Sequence, residues 1–167
     1  LSELTVEQVE DLLQAMDAED AADVAELLRY DEDTAGGLMS NDFIALVPAT
    51  TVGEALAQIR REDLPEFIYY IYLVDADESL TGVVSLRTLL ISADDTPLAN
   101  LVGDPALLIT AQIDEAANDV AEQMVRYNLL AMPVIEDGKL VGIIHAHDAL
   151  ERLLPDEAQR DMFGTNR

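Results

Sequence analysis

The sequence predicts an α/β fold in which two pseudo-symmetric β-α-β-β-α repeats follow a short all-α segment. Residues 80–84 (LTGVV) recur sixty positions later as residues 140–144 (LVGII), and Val74 matches Val134 at the same offset. The predicted strands are apolar throughout, which is typical of sheets covered by helices. Helical spacing of the apolar residues before residue 36 predicts the all-α segment.

The all-α segment has the pattern of two short helices. Its apolar residues recur after fifteen positions, as Val9, Leu12 and Leu13 and then as Val24, Leu27 and Leu28. Two such short units bury little apolar surface alone, so the segment is typical of the end of a truncated helical array. It is also the most acidic part of the chain, because residues 1–35 hold twelve acids against one base.

The first repeat begins with a strand predicted at residues 43–47. Residues 51–54 (TVGE) have the form of a capping box and lead into a helix. Residues 67–74 are rich in aromatic and β-branched residues and predict a second strand, which residues 80–84 follow as a third. A helix predicted over residues 86–91 completes the repeat.

The second repeat is predicted in the same order. Its elements are a strand at 106–109, a helix at 114–127, strands at 131–135 and 140–144, and a helix at 148–154. The two copies together indicate one compact α/β domain.

Charge and composition exclude several classes of function. The chain holds 34 Asp and Glu residues against 9 Lys and Arg, a net charge of −25, yet 50% of it is hydrophobic. This combination predicts a folded acidic protein, whose surface repels nucleic acid and anionic lipid. The absence of cysteine excludes disulfides, thiolate zinc sites and cysteine nucleophiles. No apolar run approaches the roughly 18 residues of a membrane span, and the start at Leu1 indicates a piece of a longer protein.

Two parts of the sequence resemble known families. Residues 140–144 before a helix, and residues 132–134 (MPV) before a glycine turn, resemble the signature of a CBS motif, two of which pair into a CBS (Bateman) module. Residues 30–39 (YDEDTAGGLM) and 68–72 (IYYIY) are similar to the cytosolic region of MgtE-type magnesium channels. The CBS resemblance covers residues 38–154.

The MgtE resemblance implies the domain organisation. Residues 1–35 correspond to the end of the acidic superhelical N domain, and residues 36–98 and 99–154 to the two CBS motifs. Residues 155–167 correspond to a tail that leads towards a connecting helix.

The same resemblance implies a regulatory function without catalysis. It implies a Mg²⁺ sensor that forms a homodimer through its CBS pair and lies in the cytoplasm, tethered to the inner or plasma membrane by a transmembrane part of the parent channel. Mg²⁺ bound between acidic surfaces would favour a closed pore, and repulsion between the acids would open it when Mg²⁺ falls. Hard cations of this kind prefer carboxylate and carbonyl oxygen.

The resemblance also implies metal ligands. Asp148 and Glu151 match acidic ligand positions of the family, Asp156 and Asp161 follow them, and Gly37 offers a backbone carbonyl. From the residues alone, Asp148 is equally well a helix N-cap and Glu151 a solvated helix position. A turn that needs positive φ explains the glycine pair equally well.

Three positions depart from the family. Ala116, Asn118 and Asn128 stand where the resemblance implies acidic ligands. We therefore expect some of the family's metal sites to be weakened, shifted or lost.

Adenine nucleotides are the other ligand that a CBS resemblance implies. Ser85 in the first motif and Asp148 in the second match parts of the ribose-binding pattern. His145 occupies the usual Thr/Ser position of the second motif, and Thr88 replaces the Asp of the first. Nucleotide binding without metal sensing is the alternative function, and an interaction domain that has lost its ligands is a third.

Two histidines close to Asp148 have the sequence pattern of a poor metal site. We expect His145 and His147, at a strand end, to point to different faces, which argues against a transition-metal site. The sequence carries no evidence of catalysis.

Overall fold

The computed structural model describes residues 30–61 and 67–153, with the side chains of residues 152 and 153 left aside. Most of the predicted all-α segment, and the tail at 155–167, lie outside these residues. In chain order the elements are α1 (Ala35–Leu38), β1 (Ala45–Leu46), α2 (Val52–Ile59), β2 (Tyr70–Val74), β3 (Leu80–Ser85), α3 (Leu86–Ile91), 3₁₀ turns at Leu98–Leu101 and Pro105–Leu107, β4 (Ala111–Gln112), α4 (Ala117–Tyr127), β5 (Ala131–Glu136), β6 (Lys139–His145) and α5 (Ala146–Leu153). The predicted order of two β-α-β-β-α repeats is confirmed.

Each repeat forms a three-stranded sheet, in the orders β1-β2-β3 and β4-β5-β6. The central strand pairs in parallel with the first strand and antiparallel with the third. Val74 pairs with Leu80, whereas Ile135 pairs with Leu140. The structural equivalent of Val74 is therefore Ile135 and not Val134, because the loop of the first hairpin is one residue longer.

The sheets are covered by helices on one face only. In the first repeat Ile71 and Leu73 of β2 pack with Val52 and Ala55 of α2. The alternate residue Tyr72 faces the other way and packs with Leu140 and Ile143 of β6. The expectation that helices alone cover the sheets is thus corrected, because the second face of the first sheet packs against the other repeat.

The first helix of the first repeat starts as predicted. The side chain of Thr51 accepts a hydrogen bond from the Glu54 amide at 3.3 Å, and Glu54 Oε2 accepts one from the Thr51 amide at 2.8 Å. The hydrogen bonds from the Thr51 backbone and then from its hydroxyl lower the pKa of the Glu54 carboxyl. The capping box is therefore confirmed.

The segment before β1 is attached to the second repeat. The amides of Ala35 and Gly36 donate to the carbonyl oxygens of Glu115 and Ile113, both at 2.8 Å. Ala35 and Met39 are buried in the core that α4 and α5 form with the second sheet.

The strand predicted at residues 106–109 is wrong. Residues Pro105–Leu107 form a 3₁₀ turn, and the strand is Ala111–Gln112. In the first repeat the Tyr72 amide donates to the Ile44 carbonyl at 3.0 Å. Pro133 stands at the position equivalent to Tyr72 and has no amide hydrogen, so the same pairing cannot form there.

Two helix starts also differ from the prediction. The helix predicted from residue 114 begins at Ala117, without a side-chain cap. The last helix begins at Ala146 directly after β6, so Asp148 lies in its first turn and is not its N-cap. Within residues 30–61 and 67–153, no helix has the length and apolar character needed to cross a membrane.

Candidate ligand clefts and acidic positions

Two clefts lie between the repeats at equivalent places. The large cleft encloses about 220 Å³ and the small cleft about 10 Å³. Their walls correspond through the strand registers, since Tyr70 and Ala131 pair with Ser85 and His145, respectively. The pseudo-symmetry of the chain therefore supplies the same cleft twice, at very different sizes.

The walls of the large cleft are mostly aliphatic. Residues 107–109 form one side, and Leu129, Ala131 and Pro133 form another. Tyr70 and Tyr72 of β2 complete the wall. A cleft of this kind offers apolar and aromatic surfaces to a flat organic ligand.

Ser85 ends β3, next to the large-cleft wall residue Val83. Its hydroxyl accepts a hydrogen bond from the Thr88 amide at 3.0 Å and lies 2.8 Å from Thr88 Oγ1. Ser85 therefore caps α3, a local role that occupies part of its hydrogen-bonding capacity.

Aromatic residues fill the small cleft. Phe43, Phe67 and Tyr69 line it together with His145. The Phe67 ring centroid lies 5.1 Å from that of His147 and 6.2 Å from that of His145. The cavity that remains is close to the minimum a single water molecule needs.

The two histidines lie together and not on different faces as the sequence predicted. Their rings stack with centroids 5.5 Å apart. Residues i and i+2 of a strand lie on the same face, so the prediction of different faces was wrong about the alternation, and the chain in addition turns into α5 after His145. Asp148 lies between them, with Oδ1 at 3.2 Å from His147 Nε2 and Oδ2 at 3.8 Å from His145 Nδ1.

Two residues that line the small cleft carry buried polar atoms. Within the described part of the chain, Tyr72 Oη and His145 Nε2 are buried and have no hydrogen-bond partner. Tyr72 is 1% exposed and His145 8% exposed. Burial, with a smaller contribution from Tyr70, raises the pKa of the Tyr72 phenol, which stays neutral.

The proposed metal ligands occupy separate parts of the structure. Asp148 and Glu151 lie one turn apart on α5, whereas Gly37 lies in α1. Asp156 and Asp161 lie outside the described residues. Among the residues described, no three acidic or histidine side chains are grouped closely enough to hold a metal ion. Ser85 and Asp148 belong to opposite repeats, since Ser85 ends β3 and Asp148 lies in the first turn of α5.

Gly37 has a packing reason to be glycine. It has no positive φ, contrary to the turn explanation, and a Cβ there would lie 2.2 Å from the Asp31 carbonyl oxygen. Its neighbour Gly36 similarly faces the ring of Tyr30, at 2.6 Å. Close approach of the chain to α1 therefore requires the glycine pair.

One of the three departures from the acidic pattern has a structural reason. Asn128 ends α4 in the left-handed conformation, with φ of 52°. Asparagine tolerates this conformation better than most residues, so helix termination explains it. Ala116 precedes α4 and Asn118 lies in its first turn.

Sequence reasoning missed Phe67 and Tyr72 as residues of the clefts. The signal lies in the offset between the repeats, which is sixty residues for β3 and β6 but sixty-one for β2 and β5. At the corrected offset, Tyr70 and Tyr72 stand opposite Ala131 and Pro133. This difference in bulk marks the asymmetry of the clefts.

Comparison with known proteins identifies the fold. The CBS domain family matches residues 35–94 and 108–155. The magnesium transporter MgtE of Enterococcus faecalis is 36% identical over 149 residues, which cover 88% of this chain and 32% of that protein. The chain spans about a third of the length of the curated relatives it matches.

Two solved structures are similar over most of the chain. The cytosolic domain of the Mg²⁺ channel MgtE in complex with ATP has 37% identity and a TM-score of 0.80, over 86% of this chain and 58% of that one. The soluble part of a magnesium transporter has 34% identity and a TM-score of 0.84, over 90% and 59% of the two chains. The chain therefore belongs to the CBS domain family, as a CBS pair homologous to the cytosolic region of MgtE magnesium transporters.

Proposed function

We propose that the chain is a regulatory, non-catalytic domain of a magnesium transporter, and that it senses Mg²⁺ for the membrane part of that protein. The observation that carries this proposal is its homology to MgtE over 88% of its length. The parent protein would hold the domain in the cytoplasm, tethered to the membrane by a transmembrane part.

The charge of the chain supports cation sensing. With a net charge of −25, acidic surfaces brought together without a counter-ion repel one another. Mg²⁺ keeps several of its waters and binds through one or two carboxylates, so it can bridge two surfaces without a complete protein cage. Such binding would favour the closed state of the transporter, and loss of the ion the open state.

We assign the bridging ligands to Asp148, Glu151, Asp156, Asp161 and the Gly37 carbonyl. Asp148 and Glu151 lie in the helix that leads towards the tail, which suits a contact with another domain. Since the described residues supply no cluster of three, the site would be completed by facing acidic surfaces.

Scattering and melting with and without Mg²⁺ test this function. In a protein that includes the full acidic helical domain, we expect millimolar Mg²⁺ to lower the radius of gyration and raise Tm relative to EDTA. NaCl at matched ionic strength is the control for screening. Asp148→Asn/Glu151→Gln should reduce the response, and an unchanged profile of the parent protein would contradict the proposal.

Adenine nucleotide binding is the second candidate function. It is favoured by the ATP complex of the similar MgtE cytosolic domain and by the size of the large cleft. The base would lie between Tyr70 and the aliphatic wall, and Arg87 in α3 offers positive charge to a phosphate. Calorimetry with ATP, ADP and AMP in EDTA separates this function from Mg²⁺ sensing, because heat without Mg²⁺ would require a nucleotide site.

We also propose that the chain forms a homodimer through the outer faces of α4 and α5. A groove of about 260 Å³ runs between these helices. Val125 is 59% and Leu150 45% exposed along it, although both are apolar. An identical apolar face on a second copy would cover them. We expect Val125→Glu to yield a monomer by sedimentation, whereas the exposed Leu107→Glu, outside the groove, should not.

A further inference from the structure

We propose that Phe67 and His145 close the small cleft to any ligand larger than water, so that a ligand of this CBS pair enters the large cleft instead. Phe67 and His145 would thereby set the number of nucleotides bound per chain. The count of nucleotides rests on the nucleotide function proposed above, whereas the closure of the cleft does not.

The two clefts differ at equivalent positions. Phe67 stands three residues before β2, and Asn128 stands three residues before β5. Phe67 lines the small cleft, whereas Asn128 lies outside the wall of the large one. His145 ends β6 at the position where Ser85 ends β3. The small cleft therefore has two rings in its wall, whereas the equivalent residues Asn128 and Ser85 both lie outside the wall of the large cleft.

His145 belongs to the interior of the small cleft. It is 8% exposed, and its ring centroid lies 6.4 Å from that of Tyr69. Its Nδ1 lies 3.8 Å from the Asp148 carboxylate, and its buried Nε2 has no hydrogen-bond partner within the described residues. Tyr72, whose buried Oη also has no partner within the described residues, is among the residues that line this cavity. The cavity of about 10 Å³ leaves no volume for a base or sugar.

Phe67 is the more exposed residue of the closure. It is 42% exposed, so its ring covers the histidines from the solvent side and is not held inside the core. Truncating a half-exposed ring forfeits less buried area than truncating a core residue, so a variant without it should still fold. This makes the closure open to a direct test.

The test uses Phe67→Ala/His145→Ser, which gives the small cleft the serine found in the equivalent position of the first repeat. Crystal structures of the whole chain and of this variant measure both clefts. We expect Phe67 and His145 to fill the small cleft of the unaltered chain, and the cleft of the variant to open beyond the size of a water. A variant cleft that stays water-sized, or a Phe67 ring that lies outside the cleft in the unaltered chain, would overturn the proposal.

Calorimetry with AMP measures how many nucleotides each protein binds per chain. We expect one AMP per chain for the unaltered protein and two for the variant. One AMP for both proteins would show that other residues exclude the nucleotide and would contradict the proposed count. Binding to neither protein would count against the nucleotide function, while the crystal structures still decide whether the two residues close the cleft.

A second variant, with substitutions at the large cleft, keeps the proposal testable if the first variant does not fold. Leu108→Phe/Ser85→His gives the first-repeat position of His145 a histidine and gives the position equivalent to Phe43, which lines the small cleft, a phenylalanine. Asn128, the equivalent of Phe67, is left unchanged because its left-handed conformation disfavours a bulky side chain. We expect it to weaken AMP binding by at least about tenfold, about 1.4 kcal/mol. Unchanged affinity, with a normal melting curve, would contradict the role of these positions.

Discussion

The two clefts of this CBS pair show how one repeated fold can yield two unequal sites. The strand order is the same in both repeats, yet the clefts differ from about 10 to about 220 Å³. The difference in volume arises from a few positions that hold aromatic rings in the small cleft and aliphatic or small residues at the equivalent places in the other repeat. Pseudo-symmetry of the backbone therefore does not predict equal binding sites.

The largest effect is expected at Tyr72, because it lines both clefts and is buried between the sheets. Tyr72→Ala should lower the free energy of unfolding by about 3–5 kcal/mol, as for other buried aromatic truncations. Tyr72→Phe should change it by less than about 1 kcal/mol, because the hydroxyl has no partner within the described residues. Urea denaturation of the three proteins measures both, and equal losses for the two variants would contradict this account.

The capping hydroxyl of Ser85 has no counterpart at His145. Ser85→Ala should therefore destabilise the chain by about 1 kcal/mol, since it removes the N-cap of α3. Ser85→Thr keeps a capping hydroxyl and is the matched control. A denaturation midpoint that is the same for alanine and threonine would argue against a capping role.

Pro133 is a further difference between the repeats, because it cannot form the backbone hydrogen bond that the equivalent Tyr72 amide donates to the Ile44 carbonyl. Pro133→Val restores an amide, and we expect that amide to bond to the Ile109 carbonyl and narrow the large cleft. One such bond contributes about 0.5–1.5 kcal/mol. Slow hydrogen exchange of the amide introduced by this substitution would support the explanation, whereas exchange at the rate of an exposed amide would refute it.

The smallest effect is expected where the two hairpin loops meet. Lys139 Nζ lies 3.5 Å from Glu78 Oε2, with the side chains 52% and 74% exposed. Lys139→Met should change stability by less than about 0.5 kcal/mol, because exposed ion pairs contribute little. A loss above about 1 kcal/mol that disappears at high salt would show that this ion pair holds the repeats together.

The order of the elements was predictable from the sequence, whereas the clefts were not. Recurrence of residues 80–84 at 140–144 was sufficient to predict the two repeats, and the spacing of Thr51 and Glu54 predicted a cap that the structure contains. To find which cleft residues are equivalent, one must know that the offset between the repeats changes by one residue. The apparent match of Val74 with Val134 concealed that change.

The environment of Asp148 also required coordinates. Strand alternation puts residues i and i+2 on one face, so it predicts His145 and His147 on the same side, contrary to our prediction. β6 ends at His145, and the turn into α5 brings the Asp148 carboxylate close to both rings, which alternation along a strand does not predict. The assignment of Asp148, Glu151, Asp156, Asp161 and Gly37 to Mg²⁺ remains a prediction.

The attachment of α1 to the second repeat has a mechanical consequence. Ala35 and Met39 share a core with Ala149 of α5, so the segments that enter and leave the CBS pair are anchored to the same body. The first repeat is therefore not part of the packing that joins these two segments. A displacement of the acidic N-terminal segment would therefore reach α5 through a single packed core.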